Sequence, residues 1–180
     1  MKLKHIALIG LKSCGKTTVG QALAKQLDYR YNDTDQIIEH LYVDQAGERL
    51  DFRSIYQKLG NDRFRQLETQ AIEQAVANRA PSVIATGGGS LLNQHNVEKL
   101  VQHSVMIYLK ASVDTLKERW LARPPSFINP KNLSEELSNY YAKRAKTYTG
   151  IATITIVVDE KTPDEIVTDI IMALNTLAKM

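Results

Sequence analysis

The segment Gly10-Leu11-Lys12-Ser13-Cys14-Gly15-Lys16-Thr17 sets two glycines, a lysine and a hydroxyl at the spacing Gly-x-x-x-x-Gly-Lys-Ser/Thr. Glycines at those points let the backbone approach an anion closely, so that consecutive N–H groups converge on phosphate oxygens. Lys16 then reaches the terminal phosphates, and Thr17 offers a hydroxyl to Mg²⁺. The expected nucleotide-binding set is Gly10, Ser13, Cys14, Gly15, Lys16, Thr17 and Thr18. Cys14 occupies a free position of the pattern, where packing explains its thiol.

Asn32-Asp33-Thr34-Asp35 places two carboxylates two residues apart, on one side of the chain while it stays extended. One can serve Mg²⁺ while the other serves a hydroxyl. Asp35 or Thr34 can also cap a helix over 36–42, and the two roles are compatible. Val83-Ile84-Ala85-Thr86-Gly87-Gly88-Gly89 runs a buried strand into three glycines, a turn able to present backbone N–H groups to a ligand. Phe64, Leu67, Ala71 and Val76 mark a buried helical face, with Arg65 and Glu68 on a neighbouring face where they can pair. Arg119, Arg123 and Arg144 lie around the loop 123–132, whose three prolines exclude a helix. Such a loop suits a lid, and an arginine on a closing lid can neutralise charge on a transferred phosphoryl group.

These groups need a scaffold that collects them. Short apolar runs at 6–9, 29–32, 83–86, 105–109 and 153–158 alternate with helical patterns. That alternation predicts an α/β fold with a five-stranded parallel sheet, helices on both faces and ligands at the carboxyl ends of the strands. Val19, Leu23 and Leu27 give the helix after the phosphate loop one buried face, with its positive end aimed at the phosphates. A length of 180 residues fits one domain over 1–180. A net charge of +3 favours anionic ligands only weakly and makes no case for nucleic acid. One cysteine forms no internal disulfide, and four scattered histidines make no metal-ligand spacing. The apolar run near the N-terminus ends at Lys12, too short for a signal peptide, and no stretch has the roughly 18 apolar residues of a membrane span. The expectation is a cytoplasmic protein with no membrane partner. A monomer is expected too, because no spare amphipathic helix stands outside the core pattern.

In order along the chain come GLKSCGKTTVG over 10–20, Asp33-Thr34-Asp35 with Ile38-Glu39, Phe64-Arg65 with Glu68, VIATGGG over 83–89, VMIYL over 105–109, Arg123-Pro124, and Arg144 with Tyr148 four residues on. This ordered set resembles the shikimate kinase family over nearly the whole chain. The resemblance implies a three-layer α/β/α P-loop kinase fold with strand order 2-3-1-4-5, a substrate-binding segment at about 33–65 and a lid at about 119–133. It also implies transfer of the γ-phosphate of ATP to the 3-hydroxyl of shikimate, with Mg²⁺ as cofactor. Asp35 would then hold the shikimate hydroxyls and act as, or position, the base. Arg65 and Arg144 would grip the carboxylate, completed by N–H groups of Gly87, Gly88 and Gly89. Asp33 would join Thr17 in the Mg²⁺ shell, Arg123 would be the lid arginine at the phosphates, and Arg119 and Pro163 would sandwich the adenine. The chain is several residues longer than the family pattern between Glu39 and Phe64, through 41–51.

Two other readings share this donor loop. A related P-loop kinase can act on another polyhydroxy acid such as gluconate, with 41–51 reshaping the acceptor side. A nucleotide-binding ATPase or switch can instead use Ile154-Thr155-Ile156-Val157-Val158-Asp159-Glu160, a hydrophobic strand followed by acids that resembles an Mg²⁺-holding element. Core burial and a helix start explain the same residues, with Pro163 at the helix entrance and Asp164 and Glu165 in its first turn.

Overall fold

Five parallel strands, β1 (His5–Ile9), β2 (Arg30–Asp33), β3 (Ser82–Ala85), β4 (Ser104–Lys110) and β5 (Ile154–Val157), form one sheet ordered β2-β3-β1-β4-β5. The computed structural model describes residues 5–123, 125 and 132–179. β1 and β3 are buried along their whole length, as apolar strands covered on both faces must be. The sheet and its order are those expected from the sequence, with strand ends shifted by a residue or two. β2, for example, extends to Asp33, which pairs with Ala85.

The register of the three strands on one side of the sheet positions the chemistry. Leu8 lies beside Ala85, and Ala85 beside Asp33. Two residues beyond each of these come Gly10, Gly87 and Asp35, so the phosphate loop, the glycine turn and the acidic pair leave one edge of the sheet together. Two hydrogen-bonding residues lock this edge. Thr86 donates from its N–H (3.2 Å) and its hydroxyl (3.0 Å) to the Leu8 carbonyl, and the Gly87 N–H donates to Thr34 Oγ1 at 2.8 Å.

Helices α1 (Lys16–Leu27), α2 (Thr34–Ala46), α3 (Phe52–Ala77), α4 (Gln94–His103), α5 (Val113–Ala122), α6 (Leu133–Ile151) and α7 (Pro163–Leu177) flank the sheet. α2 starts earlier than the expected 36–42 and is capped by Asp33, not by Asp35 or Thr34: Asp33 Oδ1 accepts from the Asp35 N–H at 3.0 Å. Asp33 has extended backbone while Thr34 and Asp35 are already helical, which is what a cap requires. α3 is broken at Gly60, whose φ of 74° lies in the left-handed region that favours glycine. That break folds the first turns of α3 back over its longer part, and Tyr56 meets Phe64 edge to face at 5.2 Å.

Two apolar clusters result. The larger joins the sheet residues Leu8, Ile84 and Ile107 to Leu23, Leu116 and Ile170 of the helices. The smaller, Ile38, Tyr42, Ile55, Phe64, Leu67 and Ala71, holds α2 and α3 together as an arm beside the site. None of the helices, among the described residues, is long and apolar enough to cross a membrane.

Asp159 follows the edge strand β5, which β4 separates from β1. Its Oδ1 accepts from the Ser112 N–H at 2.8 Å and so fastens the start of α5. Partial burial opposes its charge, yet hydrogen bonds from Ser112 and Thr115 and the Arg119 guanidinium hold its carboxyl below the usual range. α7 opens with Pro163 after a reciprocal Thr162–Glu165 cap, as expected for a helix start. Asp159→Ala should cost about 1–3 kcal/mol in urea unfolding while leaving Mg·ATP affinity unchanged. Loss of nucleotide binding in that variant would restore the ATPase reading.

Candidate active site

The phosphate loop turns on Gly10 (φ 144°) and Gly15 (φ 105°). A Cβ on Gly10 would lie 2.7 Å from the Leu109 carbonyl oxygen and 2.8 Å from Cys14 Sγ, so the loop packs where a side chain has no room. Cys14 is buried, and its N–H donates to the Leu11 carbonyl at 3.2 Å. Lys16 Nζ bridges the carbonyls of Gly10 (2.8 Å) and Leu11 (3.0 Å). α5 clasps the loop from behind: Arg119 Nη1 donates to the Ser13 carbonyl at 2.9 Å and Trp120 Nε1 to the Lys12 carbonyl at 3.2 Å. The loop opens into a cavity of about 570 Å³ lined by Ser13, Gly15, Lys16, Thr17, Thr18, Asp33 and Arg123, among others.

On the floor of this donor cavity, Asp33 Oδ2 accepts from Tyr31 (3.0 Å) and from the Thr17 hydroxyl (3.3 Å). Burial, and then the Asp33 charge, push the Tyr31 phenol up, so it stays a donor. Asp35, on the first turn of α2, lines both this cavity and its neighbour. Burial, followed by the charge of Asp33, raises its carboxyl to about 6 against the pull of Lys12 and Lys16. A carboxylate with that value is ionised at neutral pH yet basic enough to take a proton.

The neighbouring cavity, about 360 Å³, is lined by Asp35, Arg65, Glu68, Gly87, Gly88, Gly89, Tyr140 and Arg144, among others. Arg65 Nη1 pairs with Glu68 Oε2, and the other Glu68 oxygen accepts from Ser90 at 3.2 Å. Glu68 is only 3% exposed, and its buried carboxylate fixes the Arg65 guanidinium. Arg144 donates to the Gly88 carbonyl and lies 4.9 Å over the Tyr140 ring. Each glycine of the turn makes way for one functional side chain. An added Cβ would strike Asp35 Oδ1 at Gly87 (2.8 Å) and the Arg65 guanidinium at Gly89, and would crowd the Tyr140 hydroxyl at Gly88 (3.3 Å). The Gly87 N–H is spent on Thr34, which leaves those of Gly88 and Gly89 for a ligand instead of all three.

The residues singled out in the sequence thus gather around two adjoining cavities, with four exceptions. Gly10 and Cys14 lie behind the loop, and Arg119 grips its outer carbonyl. Pro163 is exposed at the start of α7 and lines neither cavity. Of the expected lid, Pro124 and residues 126–131 lie outside the described residues. Sequence reasoning missed Lys12, Phe52, Arg53, Tyr56 and Tyr140 as lining residues. Tyr140 had a signal in its i, i+4 spacing to Arg144. Phe52, Arg53 and Tyr56 had none, because only the break at Gly60 brings them over the site.

A family model described as Shikimate kinase matches residues 12–175. The chain belongs to the shikimate kinase family. Among members of that family, it is 36% identical to the shikimate kinase of Rippkaea orientalis over 179 residues, covering 97% of this chain and 90% of that one. The structure of shikimate kinase from Acinetobacter baumannii in complex with shikimate superposes with a TM-score of 0.85 at 27% identity, covering 97% of this chain and 94% of that one. A gluconokinase from Sinorhizobium meliloti shares the fold, with a TM-score of 0.62 at 22% identity over 97% of this chain and 93% of its own.

The clasp by α5 makes Trp120 a reporter of the loop. Its indole, buried against the Lys12 carbonyl, should change emission when ATP is added; a silent tryptophan during calorimetrically demonstrated binding would show that the clasp does not sense the nucleotide.

Proposed function

We propose that the protein transfers the γ-phosphoryl group of ATP to the 3-hydroxyl of shikimate, forming shikimate 3-phosphate and ADP. The observation that carries this reading is the position of Asp35, shared by a phosphate-loop cavity and a cavity walled by two arginines. A small carboxylate suits the latter, where Arg65 and Arg144 present planar forks beside the free N–H groups of Gly88 and Gly89. The opposite end of such an acceptor then reaches Asp35.

In the reaction, the shikimate hydroxyl oxygen bonds to the γ-phosphorus, the bond from that phosphorus to the β–γ bridging oxygen breaks, and the hydroxyl proton passes to Asp35. Lys16 and Arg123 line the donor side and neutralise charge on the transferred oxygens. Thr17 and Asp33 present adjacent hard oxygen donors of the kind Mg²⁺ takes, and Mg²⁺ held there with the nucleotide would offset phosphate charge.

ADP release with Mg·ATP and shikimate, beside gluconate and no-acceptor controls, tests the reading. Stimulation by shikimate alone is expected; stimulation by gluconate alone moves the acceptor assignment, and equal release in all three overturns transfer. Lys16→Ala should lower kcat by about 10²–10³. Arg65→Ala and Arg144→Ala should raise the shikimate KM by about tenfold or more, with the ATP KM near that of the parent.

Asp35 also sets a pH-dependent cost in the metal-free, nucleotide-free protein. Its carboxyl titrates at about 6 when folded against 3.8 for an unperturbed group, so folding favours the protonated form. That stabilisation is full below about pH 4 and lost as the pH rises through about 6, leaving the ionised group costing about 3 kcal/mol near pH 8. Asp35→Asn should therefore be more stable than the parent near pH 8, with the gain vanishing toward pH 4 in urea titrations. A gain independent of pH would contradict the assignment.

A further inference from the structure

Two cations that the transfer chemistry above leaves unused stand where the cavities meet. Lys12 and Arg53 line both cavities, whereas Lys16 and Arg123 line only the donor side and Arg65 and Arg144 only the acceptor side. Phe52 packs against both, with Lys12 Nζ 5.3 Å and Arg53 Cζ 5.6 Å from its ring centroid. No ion pair involves Lys12 or Arg53 among the described residues, and Arg53 Nε is buried without a hydrogen-bond partner. An unpaired guanidinium N–H kept from water is costly unless a ligand satisfies it.

Stability does not account for this pair. Arg53 lies in the first turn of α3, where the helix dipole disfavours a cation; the acids at that helix start, the Asp51 cap and Glu39, are engaged with the Ser54 and Phe52 N–H groups, and neither forms an ion pair with Arg53 among the described residues. Burial, and next the nearby Arg53 charge, pull the Lys12 ammonium down; the Asp35 carboxylate pushes the other way. Asp35 is the carboxylate that lines both cavities with these two cations, and it is itself needed for the acceptor hydroxyl.

We propose that Lys12 and Arg53 form an anion seat for the phosphoryl group on the acceptor side of transfer, holding the phosphomonoester of the product. The inference rests on the transfer reading above. As the phosphoryl group leaves the Lys16 side and bonds to the acceptor oxygen beside Asp35, it arrives at the two cations that line both cavities. The seat forms no covalent bond. It binds the dianionic product in preference to the uncharged hydroxyl of the substrate, and a phosphate oxygen supplies the acceptor that Arg53 Nε lacks.

Calorimetry at saturating ADP, which fills the phosphate loop, separates this seat from the donor side. With Lys12→Met and Arg53→Met, shikimate 3-phosphate should bind about tenfold more weakly in each variant and more weakly still in the double variant, while shikimate affinity changes little. Arg53→Lys should retain most of the product affinity, which guards against reading a folding defect as a lost contact. Equal weakening of shikimate and shikimate 3-phosphate, or no weakening of either, would overturn the seat. Should the parent bind and phosphorylate no shikimate, the acceptor assignment falls and inorganic phosphate at saturating ADP decides the seat. Binding lost in the double variant upholds it, and unchanged binding overturns it.

Discussion

The parallel register of β2, β3 and β1 is the constraint on which the site depends. Asp33, Ala85 and Leu8 stand in one row, so three chain segments with unrelated sequences leave the sheet at the same level. A one-residue slip of β2 would turn Asp33 to the opposite face and carry Asp35 away from both cavities. The bonds from Thr86 to the Leu8 carbonyl and from Gly87 to Thr34 oppose that slip, and both lie within the buried edge where a lost partner is expensive.

Around that edge, charge is arranged by burial more than by pairing. Asp35 is held partly out of water near Asp33, which makes it a stronger base, while Lys12 and Lys16 keep it ionised at neutral pH. Glu68 immobilises Arg65 from beneath, and the Gly88 carbonyl does the same for Arg144. The arm formed by α2 and α3 has its own apolar cluster beside the main core, which α3 also joins through Ile72, Ala75 and Val76, and the first turn of α3 carries Arg53 over the site.

Much of this was legible in the sequence. The spacing of glycines and Lys16 identified the donor loop, apolar runs located the five strands, and Arg65 with Glu68 appeared as a pair. What was hidden depended on contacts distant in sequence. Asp33 rather than its neighbours caps α2 because β2 runs one residue further than its apolar run. The N–H of Gly87 is consumed by Thr34, a partner 53 residues away. Lys12 sat at a free position of the loop pattern, and Arg53 in a helix start that no periodicity connects to the site; the left-handed backbone at Gly60 makes that connection. Asp159 shows the reverse case, an apparent metal-holding pattern whose acid fastens α5 instead.

The central claim is that Asp35 joins the two cavities into one transfer site. Rapid-quench single-turnover experiments with γ-labelled ATP and saturating shikimate test it most directly. The account predicts label in shikimate 3-phosphate for the parent and transfer slower by about 10²–10⁴ in Asp35→Asn. Parental transfer rates in that variant, or label released by the parent as inorganic phosphate, would contradict it.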